Sequence, residues 1–276
     1  FLKNGPTPLE YTLLGIRKED FTPKDIYLII GYMSFSFAQG FRTDPMMTKI
    51  YRDLGPEYLN DLVPHWAPGD EMIQNYKVPD SSITDVIAIK TIEIIDNLPS
   101  PVLIGSNSWV LSGSKTKSGK VMFANDTHIG YAQPSIWYEA HIEYPGFSYY
   151  GNHLAGFPNG LVGHTRTTSI GLTMFENDDV DFFVEKVNPD DPNQVWEDDH
   201  WQDMRTLEKT IKVKGQDDVN FKVQITRHGP LINSVIEDAA KLETSPVSVW
   251  WSFTKVPNNT VQSSYAFGHL KTMGEA

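Results

Sequence analysis

The 276-residue sequence contains no cysteine, which excludes thiol catalysis, cysteine-ligated zinc and disulfide bonds. It also has no apolar run of about 18 residues, the length that a membrane-spanning helix needs. Positive charge is scarce, because 23 Lys and Arg residues oppose 35 Asp and Glu residues and leave a net charge of −12. Without any Lys/Arg-rich run, this balance argues against nucleic acid as a partner. The remaining composition, 40% hydrophobic and 21% charged, is that of an ordered globular protein.

The first hundred residues carry helix signals. Thr22 to Asp25 predict an N-cap followed by proline at the first helical position, and an apolar stripe with helical spacing comes next. Asp44-Pro45 and Gly55-Pro56 predict the starts of two further helices, and residues 85–96 predict a short one. This part of the chain is therefore expected to be helical.

After residue 105 the signals become those of strands, with a final helix beginning near residue 261. The expected strands are 108–111, 121–124, 136–142, 160–163, 168–173, 180–187, 206–214, 221–226 and 247–253. The acidic, proline-containing segment 188–199 is expected to be a surface loop. A helical front part and a β-rich back part predict the α+β class.

The most informative position is Gly105-Ser106, at the junction of the two parts, because an ordered train of motifs follows it. The motifs are Asn125-Asp126-Thr127-His128, Gly156-Phe157-Pro158, Gly163-His164-Thr165, Asp178-Asp179-Val180-Asp181 and Thr226-Arg227-His228-Gly229-Pro230. In order and spacing, the train resembles the penicillin amidase (penicillin acylase) family of N-terminal nucleophile hydrolases. The resemblance reaches back to Thr7-Pro8-Leu9-Glu10-Tyr11 near the start of the chain.

The resemblance implies a fold and a domain organisation. We expect part of the family's αββα sandwich, preceded by a helical segment. Residues 1–75 would be a light-chain-like helical segment, 76–105 a spacer ending at the processing site, and 106–276 the β-rich core, truncated at its C-terminus. The chain is then expected to be a central fragment of a longer precursor, with the missing N- and C-terminal parts as its partners, in the periplasm or secreted.

The resemblance also implies a chemistry, in which Ser106 is the nucleophile of a self-processing amide hydrolase. The precursor would cut its own Gly105–Ser106 bond, and a glycine at this position suits the strained backbone that such a cut requires. Cleavage frees the α-amine of Ser106, whose ordinary pKa of about 7.7–8.0 lets it act as the base for its own hydroxyl. The substrate would be a small N-acyl amide such as a penicillin.

Two further catalytic positions follow from the resemblance. His128 would lie beside the nucleophile, and the backbone N–H of Met174 would form half of an oxyanion hole. The other half is a downstream asparagine in the family, and its segment is not found in this sequence, so we expect the chain alone to be inactive or nearly so. By residue type alone, His128 could equally cap a turn and Met174 could simply be core.

The matched positions also predict a substrate pocket and a metal site. The acyl pocket would be lined by Phe37, Ile129, Val162 and Leu172, although apolar residues of this kind are equally consistent with core. A structural Ca²⁺ would be held by Asp178, Asp181, the carbonyl of Val180 and, from the helical part, Asp44, because hard cations select oxygen ligands. A solvated acidic turn is the alternative for residues 178–181.

Two other functions remain open from the sequence. The 12% aromatic content would suit a calcium-dependent carbohydrate-binding β-sandwich, although that hypothesis leaves the helical first part unexplained. A catalytically dead acylase-like scaffold is the second, and the presence of Ser106 after a glycine speaks against it.

Overall fold

The computed structural model describes residues 3–38, 40–62, 103–133, 135–175, 178–233, 246–272 and 274. The helix predicted at 85–96 and nearly all of the predicted spacer lie outside these residues. Backbone contacts divide the chain into two compact units: unit 1 is Phe1–Phe35, Ile104–Thr173 and Asn259–Ala276, and unit 2 is Ser36–Leu103 and Met174–Asn258. The division predicted at residues 75 and 105 concerns the maturation of a precursor and stays a prediction.

The described residues form six α-helices and one short 3₁₀ turn, Gly113–Lys115. The helices are α1 Leu9–Leu14, α2 Pro23–Phe37, α3 Gly40–Leu54, α4 Pro56–Leu62, α5 Ser252–Lys255 and α6 Thr260–His269. Helix α2 begins as predicted, because the Asp25 carboxylate accepts hydrogen bonds from both the amide and the hydroxyl of Thr22, each at 2.7 Å. This contact satisfies one of the free N–H groups at the start of the helix.

The predicted start of the next helix at Asp44-Pro45 is wrong. Helix α3 begins at Gly40 and contains Pro45 in its second turn. The reason is tertiary, since Gly40 lies against Val180: a Cβ on this glycine would sit 2.9 Å from the Val180 carbonyl oxygen. Packing of the helix start therefore outweighs the local preference of proline for the first turn.

Twelve strands are described: β1 Leu103–Leu111, β2 Met122–Ile129, β3 Trp137–Tyr144, β4 Phe147–Leu154, β5 Gly160–His164, β6 Ser169–Ile170, β7 Val180–Val184, β8 Gln194–Glu197, β9 His200–Asp203, β10 Arg205–Ile211, β11 Val219–Ile225 and β12 Val247–Trp251. Helices and strands together confirm the α+β class. Strand β4 was not predicted from the sequence.

The loop predicted at 188–199 is partly wrong, because β8 and β9 form a hairpin there. Asp198 and Asp199 make its two-residue turn, with φ of 47° and 63°. Both are in the left-handed region that such tight hairpins require, and Asp tolerates it better than most residues. Trp196 and Trp201 face each other across the strands, and their ring centroids are 4.9 Å apart.

Unit 1 contains the β1–β2 pair and the antiparallel sheet β3-β4-β5-β6. Tyr149 of β4 is one of its fully buried large side chains, with 1% exposed. Its ring lies so close to Gly160 that a Cβ there would come within 1.9 Å of Cε1. Helix α6 is fixed to this sheet at one end by the Asn159 amide, which donates to Ser264 Oγ at 2.9 Å.

Unit 2 packs α3 against β7, which pairs with β12; it also contains the β8–β9 and β10–β11 hairpins. Its apolar core contains Ala38, Val180, Ile232, Val247 and Val249. A buried carboxylate also ties the unit together: Glu185 accepts hydrogen bonds from Thr226 (2.7 Å), Ser248 (2.6 Å) and His228 (2.9 Å). Two of these donors belong to the Thr226–Pro230 motif, which therefore has a structural role here.

Candidate active site

The predicted nucleophile Ser106 lies in β1, three residues after the strand begins. It is half-buried, and its Oγ donates a hydrogen bond to the carbonyl oxygen of Gly105 at 2.6 Å. The hydroxyl is thus held beside the carbonyl group of the bond that it is predicted to attack. Gly105 is not among the described glycines with positive φ, and a Cβ on it would meet only His128 Nδ1, at 3.7 Å. The strain expected at Gly105 therefore does not take the form of a left-handed backbone conformation.

The two faces of the β1–β2 pair carry different residues. His128 approaches Gly105 and also Asn107, whose Nδ2 is 3.3 Å from His128 Nε2. Because successive residues of a strand point to opposite faces, Ser106 lies on the other face, together with Asn125 and Ile129 of β2. The structure thus brings Ser106 and Ile129 to one face and leaves His128 on the opposite one, so a catalytic role of His128 stays a prediction.

Asp126 contacts the His128 ring on this face. Its Oδ2 lies 2.9 Å from His128 Nε2, and a carboxylate can only accept a hydrogen bond, so the ring donates in this contact. The other ring nitrogen, Nδ1, faces Gly105. Strand geometry explains the pair, because residues two apart in β2 share a face. Asp126 belongs to the Asn125–His128 motif, but its residue type gave no signal of this contact.

Asn125 joins two segments on the Ser106 face. Its Nδ2 donates to the carbonyl oxygens of Leu172 (2.9 Å) and Asn107 (3.2 Å), and its Oδ1 accepts from the amide of Leu172 (3.4 Å). A Cβ on Gly171 would lie 2.5 Å from Cζ of Phe123 and 2.9 Å from Cγ of Asn125, so this segment lies directly on β2. Residue type gave no signal of this contact, because it joins positions far apart in the chain.

The other predicted pocket residues are distributed over the fold. Ile129 ends β2 and Val162 lies in β5, opposite Asn152 of β4, and both are half-buried. Leu172 lies in an irregular segment and is 43% exposed. Phe37 ends α2 and Met174 follows Thr173, and these two half-buried residues belong to unit 2. A common pocket and an oxyanion role for the Met174 amide therefore stay predictions.

The predicted metal ligands lie together in unit 2. Asp44 of α3 and Asp178 and Asp181 at the start of β7 each present a carboxylate oxygen, and these oxygens all lie within 4.8 Å of one another. Burial, followed by the charge of Asp178, raises the pKa of Asp44 to about 7. Burial and Asp178 also raise the pKa of Asp181. The carboxylates destabilise one another when ionised, so a cation between them would be favourable.

The carbonyl of Val180 is oriented toward the same place. Val180 is opposite Trp251, and the neighbouring Ser252 amide donates to the carbonyl of Asp179 at 3.0 Å. This makes Val180–Trp251 a non-hydrogen-bonded pair, so the Val180 carbonyl points away from β12. A Cβ on Gly40 would lie 2.9 Å from that oxygen and 3.5 Å from Asp44 Oδ2, which places both oxygens on one side of Gly40.

This donor set fits Ca²⁺. Two oxygens bound to one Ca²⁺ at about 2.4 Å are at most about 4.8 Å apart, and the three carboxylate oxygens lie within that distance of one another. Three carboxylates and a carbonyl are ligands that a hard cation selects, whereas softer metals prefer nitrogen or sulfur.

Among the described residues, no helix has the length and apolar character required to cross a bilayer.

Comparison with known proteins gives a consistent set of relatives. The family model described as penicillin amidase matches residues 1–276. An acyl-homoserine lactone acylase from Pseudomonas aeruginosa is 24% identical over 98% of this chain and 33% of its own length. Penicillin G acylase from Escherichia coli is 30% identical over 47% of this chain and 16% of its own length. The chain thus spans about a third of the length of the first of these relatives.

Among solved structures, a thermostable penicillin G acylase from Alcaligenes faecalis matches 53% of this chain and 26% of its own, with 24% identity and a TM-score of 0.46.

Proposed function

Because this chain belongs to the penicillin amidase family, we propose that it supplies the nucleophile of a self-processing acylase that hydrolyses small N-acyl amides. The observation that carries the proposal is the placement of Ser106: its hydroxyl contacts the Gly105 carbonyl oxygen at 2.6 Å. The names of the relatives, acyl-homoserine lactone acylase and penicillin G acylase, support amide hydrolysis as the reaction class.

In the proposed processing step, Ser106 Oγ attacks the carbonyl carbon of Gly105. The C–N bond to Ser106 breaks, an ester to Oγ forms, and the hydroxyl proton moves to the new amine. Water then hydrolyses the ester, leaving a carboxylate on Gly105 and a free α-amine on Ser106. His128, on the opposite face, acts in the proposal through Asn107, which directly follows Ser106 and whose Nδ2 lies 3.3 Å from His128 Nε2.

In the proposed catalytic step, the Ser106 α-amine takes the proton of its own hydroxyl while Oγ attacks the acyl carbon of the substrate. The tetrahedral oxyanion is stabilised by the Met174 amide, and the amine of the substrate leaves with the proton. Water then releases the acyl group from Oγ. Phe37, Ile129, Val162 and Leu172 form the proposed acyl pocket, in an αββα sandwich of which this chain is a part.

We further propose that Asp44, Asp178, Asp181 and the Val180 carbonyl hold a structural Ca²⁺. The ion would offset most of the negative charge of the three carboxylates and fix α3 to β7, and it would supply no chemistry to the reaction. As further parts of the proposal, the whole protein is periplasmic or secreted, it includes additional precursor segments, and this chain alone hydrolyses amides poorly or not at all.

The test is replacement of Ser106 in the full-length protein. Wild type is expected to be cleaved between Gly105 and Ser106 and to hydrolyse N-acyl amides, whereas Ser106→Ala remains uncut and inactive. The matched control is Ser108→Ala, because Ser108 lies on the same face of β1 and its hydroxyl only donates to the Ala124 carbonyl, at 3.5 Å. Intact mass and N-terminal sequencing report cleavage.

Two results would contradict the proposal. Cutting of Ser106→Ala at the same bond would remove Ser106 as the processing nucleophile. A wild-type protein that is neither cut nor active would instead support the catalytically dead scaffold.

A further inference from the structure

The Asn125 side chain links the backbones of Asn107 and Leu172, and every one of its hydrogen-bonding groups takes part in this link. Its two N–H donors reach the carbonyls of Leu172 and Asn107, and its oxygen accepts the Leu172 amide. A primary amide has two donors and a carbonyl acceptor, so no donor remains for a substrate or an oxyanion. Asn125 is therefore a link between backbones rather than a catalytic residue.

The link mimics a strand pairing. A neighbouring strand would bond both the N–H and the C=O of one residue, and the Asn125 amide does the same for Leu172. Segment 171–175 is not part of a strand, so the Asn125 side chain makes the hydrogen bonds that a neighbouring strand would otherwise make with Leu172. Glycine at position 171 lets the segment approach β2 closely enough for these hydrogen bonds, because a side chain there would collide with the Phe123 ring.

One end of the link lies beside the proposed nucleophile, and the other lies in the proposed acyl pocket. Asn107 directly follows Ser106, so one bond fixes the backbone beside the proposed nucleophile. Leu172, at the other end, is 43% exposed and is a proposed wall of the acyl pocket. Asn125 and Ser106 also share one face of the β1–β2 pair, so the link determines how far Leu172 lies from the Ser106 strand.

We propose that Asn125 is a positioning residue that sets acyl-chain selectivity by fixing the backbone of Leu172 relative to the strand of Ser106. This inference rests on the proposed acylase function and adds to it a residue that determines specificity. Without the link, the Leu172 backbone can move away from β2, and the pocket then distinguishes acyl chains less sharply. Apolar pockets distinguish one methylene group by about tenfold or more, so the loss is measurable.

The experiment uses the full-length protein and 4-nitroanilides of straight-chain acids with two to twelve carbons. For wild type we expect kcat/KM to change about tenfold per methylene group near the optimum. Asn125→Ala should reduce this discrimination to about threefold or less, measured on protein that has been cleaved at Gly105–Ser106. Asn125→Asp is nearly isosteric but lacks both N–H donors, so it should resemble Asn125→Ala; a purely space-filling role would leave it like wild type.

Two further variants and a control test the same contact independently. Leu172→Ala should also flatten selectivity, and adding Asn125→Ala to it should cause no further loss if both act through one contact. Gly171→Ala leaves Asn125 in place but forces the segment off Phe123, so it should flatten selectivity even if the Asn125 variants fail to fold. The control is Asn220→Ala, which removes a comparable contact, a 2.6 Å hydrogen bond from Thr210, in the β10–β11 hairpin.

Hydrogen exchange separates this proposal from the proposed function. Asn125→Ala should accelerate exchange of the Leu172 amide at least tenfold, because that amide loses its acceptor. If wild type is an acylase and selectivity in Asn125→Ala is unchanged, the positioning role is overturned. If wild type hydrolyses no amide, the acylase proposal and the selectivity role fall together, while unchanged exchange of the Leu172 amide would overturn the link itself.

Discussion

At the scale of single residues, function depends on a few side chains whose neighbours come from distant parts of the chain. Asp44 is the clearest case, because an ordinary helical aspartate becomes half-buried beside Asp178 and Asp181. Burial and these charges raise its pKa from 3.8 to about 7. An acid with a raised pKa in the folded state binds more protons there than in the unfolded chain, so its contribution to stability falls as the pH rises from about 4 to about 7.

Asp44→Asn therefore has effects of opposite sign with and without Ca²⁺. In a chelator, the melting temperature of the variant should exceed that of wild type by more at pH 8 than at pH 5, because the stability of wild type falls as the pH rises between about 4 and about 7. With millimolar Ca²⁺ at pH 8, wild type should gain stability and the variant should gain little. Thermal denaturation at both pH values measures this.

Asp217→Asn is the control for that prediction, because Asp217 is an exposed residue of the β10–β11 turn. It should respond to pH and Ca²⁺ as wild type does. Equal stabilisation of wild type and Asp44→Asn by Ca²⁺ would exclude Asp44 as a ligand.

At the scale of elements, the β4–β5 pair shows how glycine permits close packing. A Cβ on Gly163 would lie 2.4 Å from the carbonyl oxygen of Tyr150 and 2.8 Å from Cα of Gly151. Both are backbone atoms, which cannot move without disturbing the ladder. In helix α6, by contrast, a Cβ on Gly268 would meet nothing within 4 Å. The same residue type is thus required at one position and dispensable at the other.

Gly163→Ala should lower the free energy of unfolding by about 1–3 kcal/mol, the usual cost of overpacking. Gly268→Ala should raise it by about 0.5–1 kcal/mol, because alanine is the better helix former. Urea denaturation of the two variants and wild type measures both changes. A Gly163→Ala variant as stable as wild type would show that β4 and β5 are not packed as closely as described.

At the scale of the whole molecule, charge and metal binding are connected. A net charge of −12 disfavours a compact chain at neutral pH, and the acidic cluster of unit 2 concentrates part of that repulsion. A bound Ca²⁺ would relieve it locally. Its ligands join α3 to β7, residues that are far apart in the chain, so the ion also closes a long loop.

Ca²⁺ should therefore slow amide hydrogen exchange in unit 2 and leave unit 1 unchanged. The expected slowing is greatest in α3, β7 and β12, whereas exchange in the β3–β4 hairpin should be the same in Ca²⁺ and in a chelator. Exchange measured by mass spectrometry, with Asp44→Asn as the variant that loses the effect, provides the check. Equal slowing in both units, or none, would contradict a Ca²⁺ site at these residues.

Features that depend only on neighbouring residues could be predicted from the sequence. The N-cap of α2, the α4 helix, most strands and the Gly105-Ser106 motif follow from local chemistry, and the motif order was sufficient to identify the family. The β8–β9 hairpin was missed because an Asp-Asp turn between short strands resembles an acidic loop. The start of α3 was misplaced because a contact with Val180 determines it.

Which side chains share a face or a ligand depends instead on the folded arrangement of the chain. The proximity of Asp44 to Asp178, the link from Asn125 to Leu172 and the separation of His128 from Ser106 on opposite faces of one strand pair all depend on how the chain is brought together. Local propensity carries no information about such contacts, because their free energy arises from groups that meet only when the chain has folded.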